Sequence, residues 1–262
     1  MNTDVQSCNE YWRDLRQKIS KFQEWDDASL VFGAKTSESG HHYNIFSTVP
    51  DQEILAFEKN NGFELPYEYR TYLQTFGAGG AGPDYGICDF RTQVMPNLYP
   101  EPFPYSEEIW YDEVKDDDPV WSFPGLACIG TAGCGTDYYL ELNGSSPGRV
   151  WTDWNEACSN YDGTFLTFYQ KWVHKVEKGL ERYHLLKSFI DEPSGRLKPE
   201  GLTLADIIDA LQCDFEERGR EWSSSIAEGE KWIYFKNTPG RVTIDENKKV
   251  LQIDVFRSNS IT

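Results

Sequence analysis

The chain has 262 residues, enough for one sizeable core and close to the length at which a chain begins to divide into domains. It is 39% hydrophobic and 15% aromatic, but no apolar run approaches the ~18 residues of a membrane span, which excludes a bilayer-crossing helix. Forty-three acids against 25 bases leave a net charge of −18; such a surface repels phosphate backbones, so direct nucleic-acid binding is excluded as an expected function.

The first eight residues contain neither the basic nor the apolar segment of a secretory signal, so the expected location is the cytoplasm. Tyr11, Leu15, Ile19 and Phe22 form a helical stripe through a first helix that ends around Trp25. After a loop with His41 and His42, Thr48-Val49-Pro50-Asp51 predicts a second helix start. Thr48 and Asp51 can form a capping box there, with Ile54 and Phe57 buried and Gly62 as the stop. Pro66 then starts a third helix, because its missing N–H needs no partner in a first turn, and Tyr69, Tyr72, Leu73 and Phe76 share one face. Gly77 is expected to end it in the left-handed conformation, before an apolar strand at Tyr85–Phe90.

Six prolines between positions 91 and 124 predict a long irregular surface excursion. It holds the densest charge of the chain: from Glu101 to Asp118 eight acids face only Lys115. Such a patch is either a solvated loop or a docking surface for a basic partner, and its aromatics, Trp110, Tyr111 and Trp121, either pin the loop or anchor that partner. Leu126–Ile129, Asp137–Leu142 and Arg149–Trp151, separated by glycine-rich turns, predict consecutive hairpins and hence an antiparallel sheet. A last helix of this domain starts near Thr164, with Phe165, Tyr169, Trp172, Val176 and Leu180 along one face.

Asp191–Gly195 is the best candidate linker. Beyond it Thr203 and Asp206 form a capping box for a helix with the stripe Leu204, Ile207, Ile208, Leu211 and Phe215. Three strands follow, at 231–235, 241–245 and 250–256, giving a small α-βββ module. The fold class is therefore α+β, a mainly antiparallel sheet with helices packed around it, in two parts: residues 1–186 and an accessory module, 187–262.

No chemistry stands out. Gly77–Gly82 matches G-x-G-x-x-G, but a dinucleotide loop runs from strand to helix, whereas this one leaves a helix and enters a strand. Cys128 and Cys134 have no second pair, and His41, His42, His174 and His184 have no ligand spacing, so no metal and no cofactor are expected. The six cysteines read as reduced core thiols. No nucleophile or phosphate-loop signature is present, and the chain is not expected to be an enzyme.

Pro50 through Glu58, Gly62-Phe63-Glu64-Leu65-Pro66, Tyr69–Leu73, Phe76–Gly80 and Pro83–Ile87 together resemble the SUKH superfamily, in the branch of Smi/Knr-type cell-wall regulators and bacterial immunity proteins. Ile129-Gly130, Gly133–Gly135, Tyr138–Leu142, Gly148–Trp151 and a closing helix with Phe165 and Trp172 continue the likeness, which covers roughly residues 10–184. The resemblance implies a SUKH immunity domain over 1–186: an antitoxin that neutralises one cognate polymorphic or contact-dependent toxin domain by stoichiometric occlusion. Many such toxins are nucleases, whose basic clefts match the acidity found here. The alternative is an intracellular protein–protein interaction adaptor of the cell-wall-regulator type, without a toxin partner. The expected partner-binding residues are Glu107, Glu108, Trp110, Tyr111, Asp112, Glu113, Asp116, Asp117 and Asp118.

Overall fold

The computed structural model describes residues 2–35, 40–92, 101–113, 124–154, 157–191, 196–197 and 201–255. Their contacts form two compact units, one of residues 1–24 and 33–173, the other of residues 25–32 and 174–262.

The first unit begins with α1 (Asn2–Trp25), whose buried face is Cys8, Trp12, Leu15, Ile19 and Phe22. Leu15, Ile19 and Phe22 of the predicted stripe are buried, and at its start Trp12, fully buried, takes the place of Tyr11, which is half-buried. Spacings of four, three, four and three keep these five side chains in register with the helical turn. α2 (Asp51–Asn61) starts directly after Pro50 with no side-chain cap, so the predicted Thr48 box does not form. Gly62 does end it in the left-handed conformation, at φ 77°. α3 (Tyr67–Thr75) buries Tyr69, Tyr72 and Leu73, with Phe76 buried just beyond.

Five strands form one antiparallel sheet: β1 (Ile109–Trp110), β2 (Leu126–Gly133), β3 (Thr136–Glu141), β4 (Arg149–Trp154) and β5 (Ala157–Thr164), in the spatial order β1-β5-β4-β3-β2. Cys134 and Gly135 make the two-residue turn from β2 to β3, both with positive φ, as a primed hairpin turn requires. α4 (Phe165–Ser188) follows β5 and buries Phe165, Phe168, Tyr169, Trp172 and Val173 within this unit. Trp12 sits at the centre of the aromatic core, with ring centres 5.1 Å from Tyr72, 5.3 Å from Tyr169 and 5.8 Å from Phe76. Edge-to-face geometry of this kind adds to burial because positive ring edges meet negative faces.

The glycine-rich stretch after α3 serves the sheet. Gly77 is not left-handed; a Cβ on it would lie 2.5 Å from the Phe46 carbonyl oxygen, so glycine is needed for close approach. Tyr85–Phe90 forms no continuous strand. Single antiparallel bridges run instead from Ile45 to Gly80, from Gly80 to Ile87 and from Ile87 to Gly130 of β2. A Cβ on Gly80 would sit 2.2 Å from the Asn44 carbonyl oxygen, and Gly80 also has φ 103°.

Beside this crossing lies His41, 8% exposed, its Nδ1 accepting the Tyr43 backbone N–H at 2.9 Å and its ring against Tyr43 and Trp172. Burial, reinforced by the neighbouring His42, lowers its pKa from 6.5 to about 4, a Gly82 backbone group pulling the other way. The unfolded chain therefore binds a proton near pH 6.5 that the folded chain refuses until about pH 4. Stability should fall as pH drops through that window, by on the order of 3 kcal/mol. Urea midpoints measured from pH 8 to pH 4 should show this fall shrinking in a His41→Asn variant, which keeps an acceptor for Tyr43 but cannot titrate.

The second unit contains the C-terminal part of α4, a short hairpin of β6 (Ile190–Asp191) with β7 (Arg196–Leu197), and α5 (Leu204–Leu211). α5 has the predicted Thr203–Asp206 capping box. A four-stranded antiparallel sheet completes it: β8 (Phe215–Arg218), β9 (Lys231–Phe235), β10 (Arg241–Ile244) and β11 (Val250–Asp254). The sheet after α5 thus has one strand more than the pattern suggested, and the β6–β7 hairpin precedes the helix. Gln212 turns left-handed after α5, and Phe215, expected on the helical stripe, opens β8 with 39% of its surface exposed. Leu204, Ile207, Leu211, Ile233, Phe235, Val242 and Ile244 fill its core.

Candidate partner-binding surface

The acidic segment is pinned from below. Phe103, Tyr105, Ile109 and Tyr111 join Leu126, Trp151 and Cys158 in a second small core on one face of the five-stranded sheet. The Phe103 N–H donates to the Asn143 carbonyl oxygen at 2.8 Å, and Ile109 pairs with Cys158 on β5. Burying Phe103 and Ile109, 2% and 6% exposed, contributes about 1.5–3 kcal/mol each, which offsets part of the conformational entropy lost on ordering the segment.

Tyr111 is half-buried in the turn Tyr111–Glu113, and its hydroxyl donates to Asp153 Oδ1 at 2.6 Å. Burial and the adjacent carboxylate push this phenol upward, so it stays a donor. Burial raises the Asp153 carboxyl, with Asp137 on β3 adding to the rise and the Tyr111 hydroxyl opposing it. Burial, then Asp153, pushes the Cys158 thiol up to about 12, which makes it inert as a nucleophile. Tyr111 therefore pins the loop, one of the two roles its sequence allowed.

What the pinning leaves outside is negative and aromatic. Glu107, Glu108 and Asp112 are exposed, and Trp110 is 43% exposed. Glu113 closes the turn after Tyr111. Asp116, Asp117, Asp118, Lys115 and Trp121 lie outside the described residues. Arg149 reaches under the segment, its Nη1 donating to the Ser106 carbonyl oxygen at 3.0 Å.

Two features here escaped the sequence reading. β5, Ala157–Thr164, pairs with the segment at Ile109 and Trp110 yet reads as a polar loop, Ser159-Asn160-Tyr161-Asp162. Trp154, 38% exposed at the end of β4, was hidden because its hairpin was not recognised. The alternation of Phe103 with Tyr105, and of Ile109 with Tyr111, was the available signal for a segment with one buried side.

Behind the surface, Glu141 is fully buried: Oε1 accepts the Ser146 N–H and Oε2 the Trp151 indole N–H at 3.0 Å. Glu141→Gln reverses one end of this pairing and should cost about 1–3 kcal/mol. Urea unfolding of Glu141→Gln, Trp151→Phe and the double variant should give costs that do not add, since both single changes break the same hydrogen bond.

Among the described residues no three or more His, Cys, Asp or Glu side chains are grouped to hold a metal ion, and no helix is long and apolar enough to cross a membrane. The fold is an α+β scaffold presenting a charged, aromatic sheet edge. Residues 48–171 match the model of the SMI1/KNR4 family (SUKH-1), which makes this part of the chain a SUKH-type domain. The superfamily is generally made of non-catalytic immunity or adaptor proteins. No curated protein and no solved structure matches the chain.

Proposed function

We propose that the protein is a cytoplasmic immunity protein that neutralises a basic toxin domain, a nuclease, by covering its active site in a one-to-one complex. Glu107, Glu108, Trp110, Asp112 and Glu113, together with Asp116, Asp117 and Asp118, form the contact surface, with Tyr111 holding the turn Tyr111–Glu113 from beneath. Residues 1–186 supply the immunity domain and 187–262 an accessory module. The observation that carries this reading is the exposure of Glu107, Glu108 and Asp112 on a loop held by a buried aromatic underside. A loop retained only for solubility has no need of a fixed shape, whereas a docking surface gains affinity from one.

A nuclease gathers phosphates with positive charge, so an inhibitor of opposite charge is steered to the same cleft. Immunity genes of this superfamily typically lie beside their toxin genes, which supplies the test: co-expression of the protein with the neighbouring toxin domain, followed by pull-down and a growth assay. Protection with a one-to-one complex is the expected result. Growth arrest despite expression of both proteins rules out immunity to that toxin and favours an adaptor role.

A further inference from the structure

All six cysteines are reduced thiols, but only Cys8 and Cys158 are core thiols as expected; Cys88, Cys128 and Cys213 are half-buried and Cys134 is exposed. Two of them meet. Cys88 follows the Ile87–Gly130 bridge that joins the glycine-rich crossing to β2, and its N–H donates to the Ile129 carbonyl oxygen at 2.8 Å. Cys128 is the next residue along β2. The register of β2 against β3 shifts between Cys128 and Gly130, and a bulge of this kind re-aims side chains. The Cys128 thiol is hydrogen-bonded to the Cys88 thiol, and its sulfur lies 3.7 Å from the Gly130 carbonyl oxygen.

The backbone suits a bond between them. Strands about 4.8 Å apart with a rise of about 3.3 Å per residue put Cα atoms one step off register about 6 Å from each other, inside the span of roughly 4.4–6.8 Å that a disulfide bridges. The two thiols are also unequal. The hydrogen bond from Cys128 holds Cys88 below the ordinary thiol range, helped by its own backbone and opposed by burial and the Asp137 carboxylate. The same hydrogen bond, then burial and the neighbouring Cys88, pushes Cys128 up, with Asp137 adding to the rise and the Gly130 backbone opposing it. An attacking thiol and a resolving thiol divide in this way.

We propose that Cys88 and Cys128 form a reversible thiol–disulfide site whose oxidant is a small disulfide of the glutathione class. The Cys88 thiolate attacks one sulfur of the oxidant and breaks its S–S bond; the first thiol leaves with the proton that Cys88 gave up. Cys128 then attacks the Cys88 sulfur, and its proton goes with the second departing thiol. One small disulfide is reduced to two thiols while two cysteine thiols become one disulfide. The new bond ties the glycine-rich crossing to the edge strand β2. In a reducing compartment it is transient, which suits a sensor better than a structural staple. The site stands independently of the partner-binding reading.

The test uses the full-length protein carrying Cys134→Ser, which removes the exposed thiol. Alkylation of the native protein, read by peptide mass mapping, should label Cys88 about tenfold faster than Cys128. After incubation with oxidised glutathione and alkylation under denaturing conditions, Cys88 and Cys128 should escape labelling together, appear as one crosslinked peptide pair, and be restored together by dithiothreitol. Adding Cys128→Ser, which keeps a hydrogen-bond donor but cannot close the bond, should stop the reaction at a mixed disulfide of Cys88 with glutathione. Adding Cys88→Ser should leave Cys128 open to labelling. Circular dichroism checks that each variant keeps the parent fold. Both thiols still labelled after oxidation, a mixed disulfide that accumulates with Cys128 present, or a crosslink to any other cysteine overturns the site. Glutathione on Cys128 in the Cys88→Ser variant overturns the assignment of the attacking thiol.

Discussion

Replacing Trp12 by alanine is expected to destabilise the first unit by about 3–5 kcal/mol, the cost of losing a large buried side chain together with the cavity left behind. The site cannot easily collapse, because Tyr72, Phe76, Phe165 and Tyr169 approach the indole from α3 and α4 as well as from the turn between them and the sheet. Tyr169 is itself tied down, its hydroxyl donating to the Ala81 carbonyl oxygen in the glycine-rich crossing. A loss of this size is a large fraction of the 5–15 kcal/mol typical of a folded domain. Urea unfolding of Trp12→Ala and Tyr11→Ala decides the point: Tyr11, half-buried on the flank of the same helix, should cost much less. Equal costs would mean that α1 presents a different face to the core.

The second large effect concerns rate. If the acidic surface is the contact, association with the toxin domain should slow by roughly tenfold to hundredfold between low and high salt, while dissociation changes little. The physical cause is screening: at 0.1 M salt the field of an exposed charge decays over about 10 Å, so steering depends on ionic strength and close packing does not. Glu107→Lys/Glu108→Lys/Asp112→Lys should reproduce most of that slowing at low salt. All three residues are exposed, so their replacement leaves the core around Phe103 and Ile109 intact. Stopped-flow traces with unchanged association rates would move the contact to another face while leaving the immunity role standing.

The helical part of the fold was legible where apolar spacing and stop signals agree. α3 was readable from Pro66 and its four-residue stripe, α4 from five apolar positions, and α5 from its capping box. Errors arose where two solutions fit one pattern. Tyr11 and Trp12 both satisfy the spacing to Ile19, and only the packing against Tyr72 and Tyr169 chooses between them. Phe215 continues a helical period as well as it starts a strand, and the left-handed Gln212 decides. β5 was invisible because its inner residues are polar or small, so its place in the sheet comes from pairing with β4 and β1, which no local pattern encodes.

The candidate surface was legible as charge and not as shape. Counting acids located the segment; it could not say that Tyr111 faces inward and Trp110 outward, or that Trp154, more than forty residues later, lies in the same row. The glycine motif after α3 follows the same logic. Its residues fit a phosphate loop in sequence alone, yet the close approach of Phe46, Asn44, Ile87 and Cys88 explains its four glycines by contact distance.

The order of the five-stranded sheet bears finally on aggregation. A sheet invites other chains at its edges, where unpaired backbone groups can template a further strand. Here one edge, β2, is met by the Gly80–Ile87–Gly130 bridges, and the other is β1, only two residues long with carboxylates on both sides in sequence. So short an edge leaves little for a misfolded neighbour to extend, and its charges repel copies of the same chain. The residues proposed to recognise a basic partner therefore also keep the protein apart from itself, and variants that neutralise them to probe binding should be watched for loss of colloidal stability.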